Sequence, residues 1–150
     1  MVKQSAILTA INRLIVAAFP DNTVYIQACP KDFNRPSFML EYVRLSQIDA
    51  TRKTIEKTVY FTITCFTPVD KYYRSDMDEL ANLQEETLQL FSVGYVTVGD
   101  RALKVQGSTG GMDIDRAYID LQFEFFDNRT DEVDQTPIMT SVTTKIGGTV

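Results

Sequence analysis

Apolar residues recur at three- and four-residue steps in the opening segment. Ile7, Ala10, Ile11, Leu14 and Ala18 form one stripe, with Ile15 and Phe19 beside it, while Lys3, Asn12 and Arg13 fall mostly away. The spacing predicts an amphipathic helix over residues 3–19, stopped by Pro20-Asp21-Asn22. The period then shortens to two. Residues 23–27 read as a short edge strand, because Pro30 follows so closely. Pro36 biases Arg35 toward extended backbone and leads into two strand-like runs, 38–45 and 54–67, separated by a polar turn. In the second run Ile55, Val59, Phe61, Ile63 and Cys65 share one face, with Lys57 the polar exception. Tyr60, Thr62, Thr64 and Phe66 share the other, a mixed face that implies partial burial. The pair predicts a long antiparallel hairpin.

A second helix is expected after the segment 68–74. Ser75 is placed as its N-cap, Asp76, Asp78 and Glu79 complement its dipole, Met77, Leu80, Leu83, Leu90 and Phe91 make its buried stripe, and Gly94 ends it. Residues 95–98 and 101–106 read as strands around a Gly99-Asp100 turn, and 107–111 as a flexible glycine loop. From Asp113 to Asp127 the alternation is clear, with Ala117, Ile119, Leu121, Phe123 and Phe125 facing one way. After Asn128 the chain turns polar and rich in Ser and Thr. The domain is therefore drawn as 1–127, with 128–150 an extended or disordered arm suited to adding a strand to a neighbour's sheet. The fold class is α+β: a mostly antiparallel sheet with a long hairpin and two helices packed on one face.

Charge and composition narrow the partners. A net charge of −5 over 150 residues argues against a nucleic-acid binder, whose affinity comes from Lys and Arg neutralising phosphates. No apolar run approaches the roughly 20 residues that span a bilayer. The opening helix is interrupted by Thr9, Asn12 and Arg13, which reads as a cytosolic protein and not as a signal sequence. There is no histidine, which excludes Ser-His-Asp and Cys-His catalysis and histidine-ligated zinc. Cys29 and Cys65 have no metal or redox spacing and read as two thiols in a reducing compartment.

Each remaining candidate for chemistry has a plainer explanation. Asp113 and Asp115 form a D-x-D that could hold a divalent cation, but they also read as a solvated strand start. Asp120 and Glu124 could flank a sugar, but no Trp platform accompanies them. The glycines at 107–111 lack the Lys-Ser/Thr end and the helix that a phosphate loop needs. Lys71-Tyr72-Tyr73-Arg74 interleaves aromatics with cations as single-strand binders do, yet serves equally as helix-lead packing or as a subunit contact. No catalytic, cofactor or metal site is therefore assigned.

Two features point to assembly. A fully extended run over residues 55–66 would span roughly 40 Å, against a radius of gyration of about 14 Å for a body of this size. The hairpin end, residues 48–57, is expected to project, and strand edges carrying Ile48 and Ile55 would call for a partner. The arm after Asn128 is the second.

The order of elements carries a resemblance. It comprises an amphipathic first helix, the short strand Val24-Tyr25-Ile26, the Pro36-Ser37-Phe38 lead into a long hairpin, and a helix before the final sheet segment. The last strand carries Tyr118 and Phe123. Over roughly residues 3–127 this pattern resembles the tail terminator proteins of tailed bacteriophages and related contractile particles. The resemblance implies a non-enzymatic structural virion protein, made in the host cytoplasm. It would form a homohexameric ring on the tail tube protein, stop tube polymerisation and meet a head–tail connector or neck protein, with the sheath left open as a further partner. Ile48, Arg52, Lys53, Ile55, Lys57, Tyr72 and Tyr73 are then the expected subunit contacts. Asp113, Asp115 and Asp120 are the expected ring or lumen face, without specific nucleic-acid binding and without a membrane. The alternatives are another head–tail joining or tube-associated protein, or a small ligand-binding α+β module.

Overall fold

A computed structural model describes residues 2–128. The predicted arm, apart from Asn128, lies outside the described residues. Eight elements follow in chain order: α1 (Gln4–Ala18), β1 (Thr23–Ile26), β2 (Ser37–Asp49), β3 (Thr54–Phe66), α2 (Met77–Gln89), β4 (Tyr95–Val98), β5 (Arg101–Met112) and β6 (Arg116–Asn128). The strands form one sheet in the order β1-β2-β3-β6-β5-β4. Every pairing is antiparallel except β1 with β2.

The core follows from the alternation. Phe38 and Leu40 of β2, Val59, Phe61, Ile63 and Cys65 of β3, and Ala117, Ile119, Leu121 and Phe123 of β6 point to one face and are almost fully buried. Leu103 and Val105 of β5 join them. Ile7, Ile11 and Ile15 of α1 and Leu80 of α2 complete the same cluster. The rings of Phe61 and Phe123 meet edge to face, with centroids 5.8 Å apart. Cys65 lies beneath α2, and burial pushes its thiol pKa up to about 12, so it stays protonated and unreactive.

Several local details differ from the sequence reading. The N-cap of α2 is Asp76, whose carboxylate accepts from the Asp78 N–H at 3.0 Å. Ser75 turns inward instead: its N–H donates to the Ile114 carbonyl at 2.8 Å, and its hydroxyl reaches the Thr67 carbonyl. Met77 is therefore exposed at the start of the helix. The glycine stretch 107–111 is part of β5. Gly107 lies on the inner face opposite Leu121, where an added Cβ would stand 2.7 Å from Leu88 Cδ1 of α2. A side chain is absent there because the helix packs close.

The expectation that residues 48–57 project from the body is corrected. β6 runs beside β3 along its whole length, from Phe66 opposite Arg116 to Thr54 opposite Asn128. Ile55 and Lys57 are therefore 4% and 7% exposed, inside the sheet and not on a free tip. Among the described residues, only the β2 side of this end is open.

Candidate functional site

The open side of β2 starts from a mismatch in strand length. β1 pairs only with Ser37–Leu40 of the thirteen-residue β2. The Gln27 side chain then caps the edge, its Oε1 accepting from the Tyr42 N–H at 2.7 Å. Beyond that cap and the irregular register between Tyr42 and Arg44, no strand among the described residues pairs with β2 on this side. The uncovered part carries exposed Val43, Leu45 and Ile48, an apolar strand edge that isolated proteins normally protect. The turn that follows is stiff: the Thr51 hydroxyl accepts from the N–H groups of Lys53 and Thr54, and Ala50 and Thr51 donate to the Thr54 carbonyl. It presents Arg52 and Lys53 to solvent.

Ile48, Arg52 and Lys53 are thus accessible together, whereas Ile55 and Lys57 are not. Lys57 reaches inward to Asp127, Nζ to Oδ2 3.4 Å. Asp127 also accepts from the Val2 N–H at 2.9 Å and pairs with Arg101 at 3.5 Å. Burial alone would raise its pKa. The Val2 and Asn128 N–H groups and Lys57 outweigh burial and hold it below the ordinary carboxylate range. One carboxylate so ties the start of the chain, β3, β5 and β6 at this end of the sheet. The sequence reading missed it, since Asp127 stood only as the last residue of the alternating strand. Its period-two place on the apolar face was the available signal.

Tyr72 and Tyr73 occupy the opposite end. Asp70 accepts from the Tyr72 and Arg74 N–H groups at 2.8 and 3.1 Å, building a tight loop in which Tyr73 takes a positive φ of 61°. The Lys71 ammonium and Arg74 guanidinium lie over the Tyr72 ring at 5.0 and 5.1 Å. Both tyrosines are well exposed, and Ile114 stands exposed beside the loop.

The three aspartates assigned to one face have different surroundings. Asp113 is exposed and accepts from the Tyr118 hydroxyl at 2.9 Å; Asp120 is exposed and accepts from Thr62 at 3.0 Å. Asp115 is buried in a clasp that contradicts an open lumen position. Arg116 holds it from one side, and Arg35 donates to its carboxylate at 2.8 Å and to its carbonyl at 3.1 Å. Hydrogen bonds from Arg116, then from Arg35, keep its pKa low despite burial. The Arg35 guanidinium also lies against both Phe33 and Phe66, whose rings touch each other, fastening the loop before β2 to the start of β6. Nothing in the sequence marked Arg35 for this role beyond its place before Pro36.

An open cleft of about 800 Å³ is lined by Arg44, Tyr60, Thr62, Asp120 and Gln122 among others. Several of its polar groups are engaged with one another or with neighbours: Arg44 stacks on Tyr60 at 4.2 Å, Thr62 bonds Asp120, and Gln122 bonds Glu124. They do not converge on a point where a reacting atom would sit.

The chain is thus an α+β module whose conspicuous surfaces are an open strand edge and an aromatic loop, the features of a protein that meets other proteins. The family model for phage tail terminator protein matches residues 6–135, and the chain belongs to that family. It is a structural component of a phage tail and hence of the virion. No curated protein matches the chain. No helix among the described residues is long and apolar enough to cross a membrane.

Proposed function

We propose that the protein caps the tail tube as a homohexameric ring, stopping tube polymerisation and offering its other face to the head connector or neck protein. The family membership over residues 6–135 carries this reading. In the ring, Ile48, Arg52 and Lys53 at the open end of β2 contact the neighbouring copy, and the exposed Tyr72–Tyr73 loop at the opposite end meets a further subunit or the tube. Ile55 and Lys57 support that contact from within, by fixing the strand that carries it. Asp113 and Asp120 face the passage, where negative charge keeps DNA from adhering, and Asp115 serves as a clasp.

The test adds the purified protein to polymerising tail tube protein and reads tube lengths by electron microscopy. A cap shortens the length distribution in proportion to its concentration and leaves density at one tube end only. Tubes of unchanged length with both ends bare would refute capping. In particles reconstituted with the Asp113→Asn/Asp120→Asn variant, slower DNA release is expected if those carboxylates face the passage. Unchanged release would remove that assignment.

A further inference from the structure

The uncovered part of the β2 edge and the outer edge of β4 stand at the same height. Following the register across the strands, Tyr95 of β4 lies opposite Lys104, Lys104 opposite Glu124, Glu124 opposite Thr58, and Thr58 opposite Ser46 of β2. At the other end of β4, Val98 pairs with Arg101, which contacts Asp127, and Asp127 faces Ile55 and then Asp49. Residues 95–98 and 46–49 therefore occupy the same rows at opposite margins of the sheet. The two strands also point the same way, since three antiparallel steps separate β3 from β4 and one separates it from β2.

A ring whose axis runs along the strands requires this arrangement. A head-to-tail contact closes into a ring only if its two complementary surfaces are related by rotation without translation along the axis; otherwise it grows a helical filament. On β2 the rows nearest the base are covered by four-residue β1, which runs parallel to it. The rows 46–49 leave room for a second four-residue strand, also parallel, in line with β1. The charges agree. The turn after β2 presents Arg52 and Lys53, and the turn after β4 presents exposed Asp100 at the corresponding height. Ile48 and Tyr95, both exposed and on the same face of the sheet, would fall on neighbouring diagonal positions.

We infer that the open half of β2, residues 46–49, takes β4 of a second copy as its parallel neighbour, so that the sheets of successive subunits join edge to edge around a closed ring. This rests on the ring reading given above and names the edges through which the ring closes.

Paired cysteines test it in the full chain. Adjacent strands lie about 4.8 Å apart, within the span a disulfide bridges. Within one chain four strand spacings, about 19 Å, separate Ser46 from Tyr95, so a bond between them must join two copies. In a Cys29→Ser background, Ser46→Cys/Tyr95→Cys is oxidised mildly and resolved on non-reducing gels. The expected result is a ladder of covalent multimers ending at one closed species, absent in either single-cysteine variant. Lys53→Asp should lower the yield several-fold, and adding Asp100→Lys in the same chain should restore it. Circular dichroism checks that every variant is folded. If sedimentation shows a ring while the folded double-cysteine variant gives no ladder, the edge assignment is overturned and the ring stands. If the folded protein neither self-associates nor shortens tubes and gives no ladder, both readings fall.

Discussion

Asp127 shows how one residue can set the acid stability of a whole end of the molecule. Its side chain is 3% exposed and that of Lys57 9%, so the pair is held in a poorly solvated setting. Removing one member of a buried pair strands the other, at about 3 kcal/mol or more. Asp127→Asn should therefore lower the unfolding free energy by about 3 kcal/mol at pH 7, read from urea midpoints. The sign of the pH dependence follows from the depressed native pKa of Asp127, shared by Asp115. Between the native and unfolded values the unfolded chain binds more protons. The stabilisation is thus complete above about pH 4 and is lost as pH falls through the lower native values. The wild-type midpoint should drop steeply below about pH 4, and the Asp127→Asn midpoint should drop less. Parallel acid limbs for the two proteins would show that other carboxylates dominate.

At the scale of elements, the helix-to-sheet contact at Gly107 is the tightest joint that can be probed singly. An added Cβ would lie 2.7 Å from Leu88 Cδ1 and 3.4 Å from Leu121 Cδ2. The first clash is with the far end of a flexible side chain. Gly107→Ala should therefore cost only about 1 kcal/mol, while Gly107→Val, which adds branches on the same crowded spot, should cost about 2–3 kcal/mol. Thermal unfolding of the two variants checks the order; equal losses would mean that α2 shifts as a body to make room. This contact also explains what the chain did and did not reveal. Period-two alternation made β3 and β6 legible, because each buries one face, and the stripe of α1 was equally plain. The 107–111 stretch was not, since the absent side chains that allow α2 to approach are also the mark of a loop. The neighbour of β3 was hidden for a related reason. Alternation tells which face a residue takes but not which strand lies beside it, so Ile55 and Lys57 read as tip residues until β6 was seen to flank them. Ser75 was displaced from the cap by a tertiary contact, its own bond to Ile114, that local sequence does not encode, and Asp76 took the position. The Arg35 clasp, joining residues 80 apart, was invisible for the same cause.

For the whole molecule, ionic strength sets two opposed electrostatic effects against each other. Each copy carries a net charge of −5, and bringing copies together raises their mutual repulsion. The contact between Arg52 or Lys53 and Asp100 of the next copy is instead a short-range attraction. Screening separates them by distance. At about 0.15 M salt the Debye length is near 8 Å, so repulsion between subunit centres tens of ångströms apart is mostly removed. Charges a few ångströms apart still interact, with an exposed pair contributing about 0.2–1 kcal/mol. At about 1 M the length falls to about 3 Å and that attraction fades as well. The assembled fraction measured by sedimentation should accordingly rise from low salt to about 0.15 M and decline toward about 1 M. Lys53→Asp removes part of the attraction and adds to the repulsion, so it should assemble less at every salt concentration, rise more steeply, and lose most of the decline. A wild-type assembly curve that only rises with salt would mean that apolar edge residues such as Ile48 and Tyr95, together with strand hydrogen bonds, hold the copies together without the charged turns.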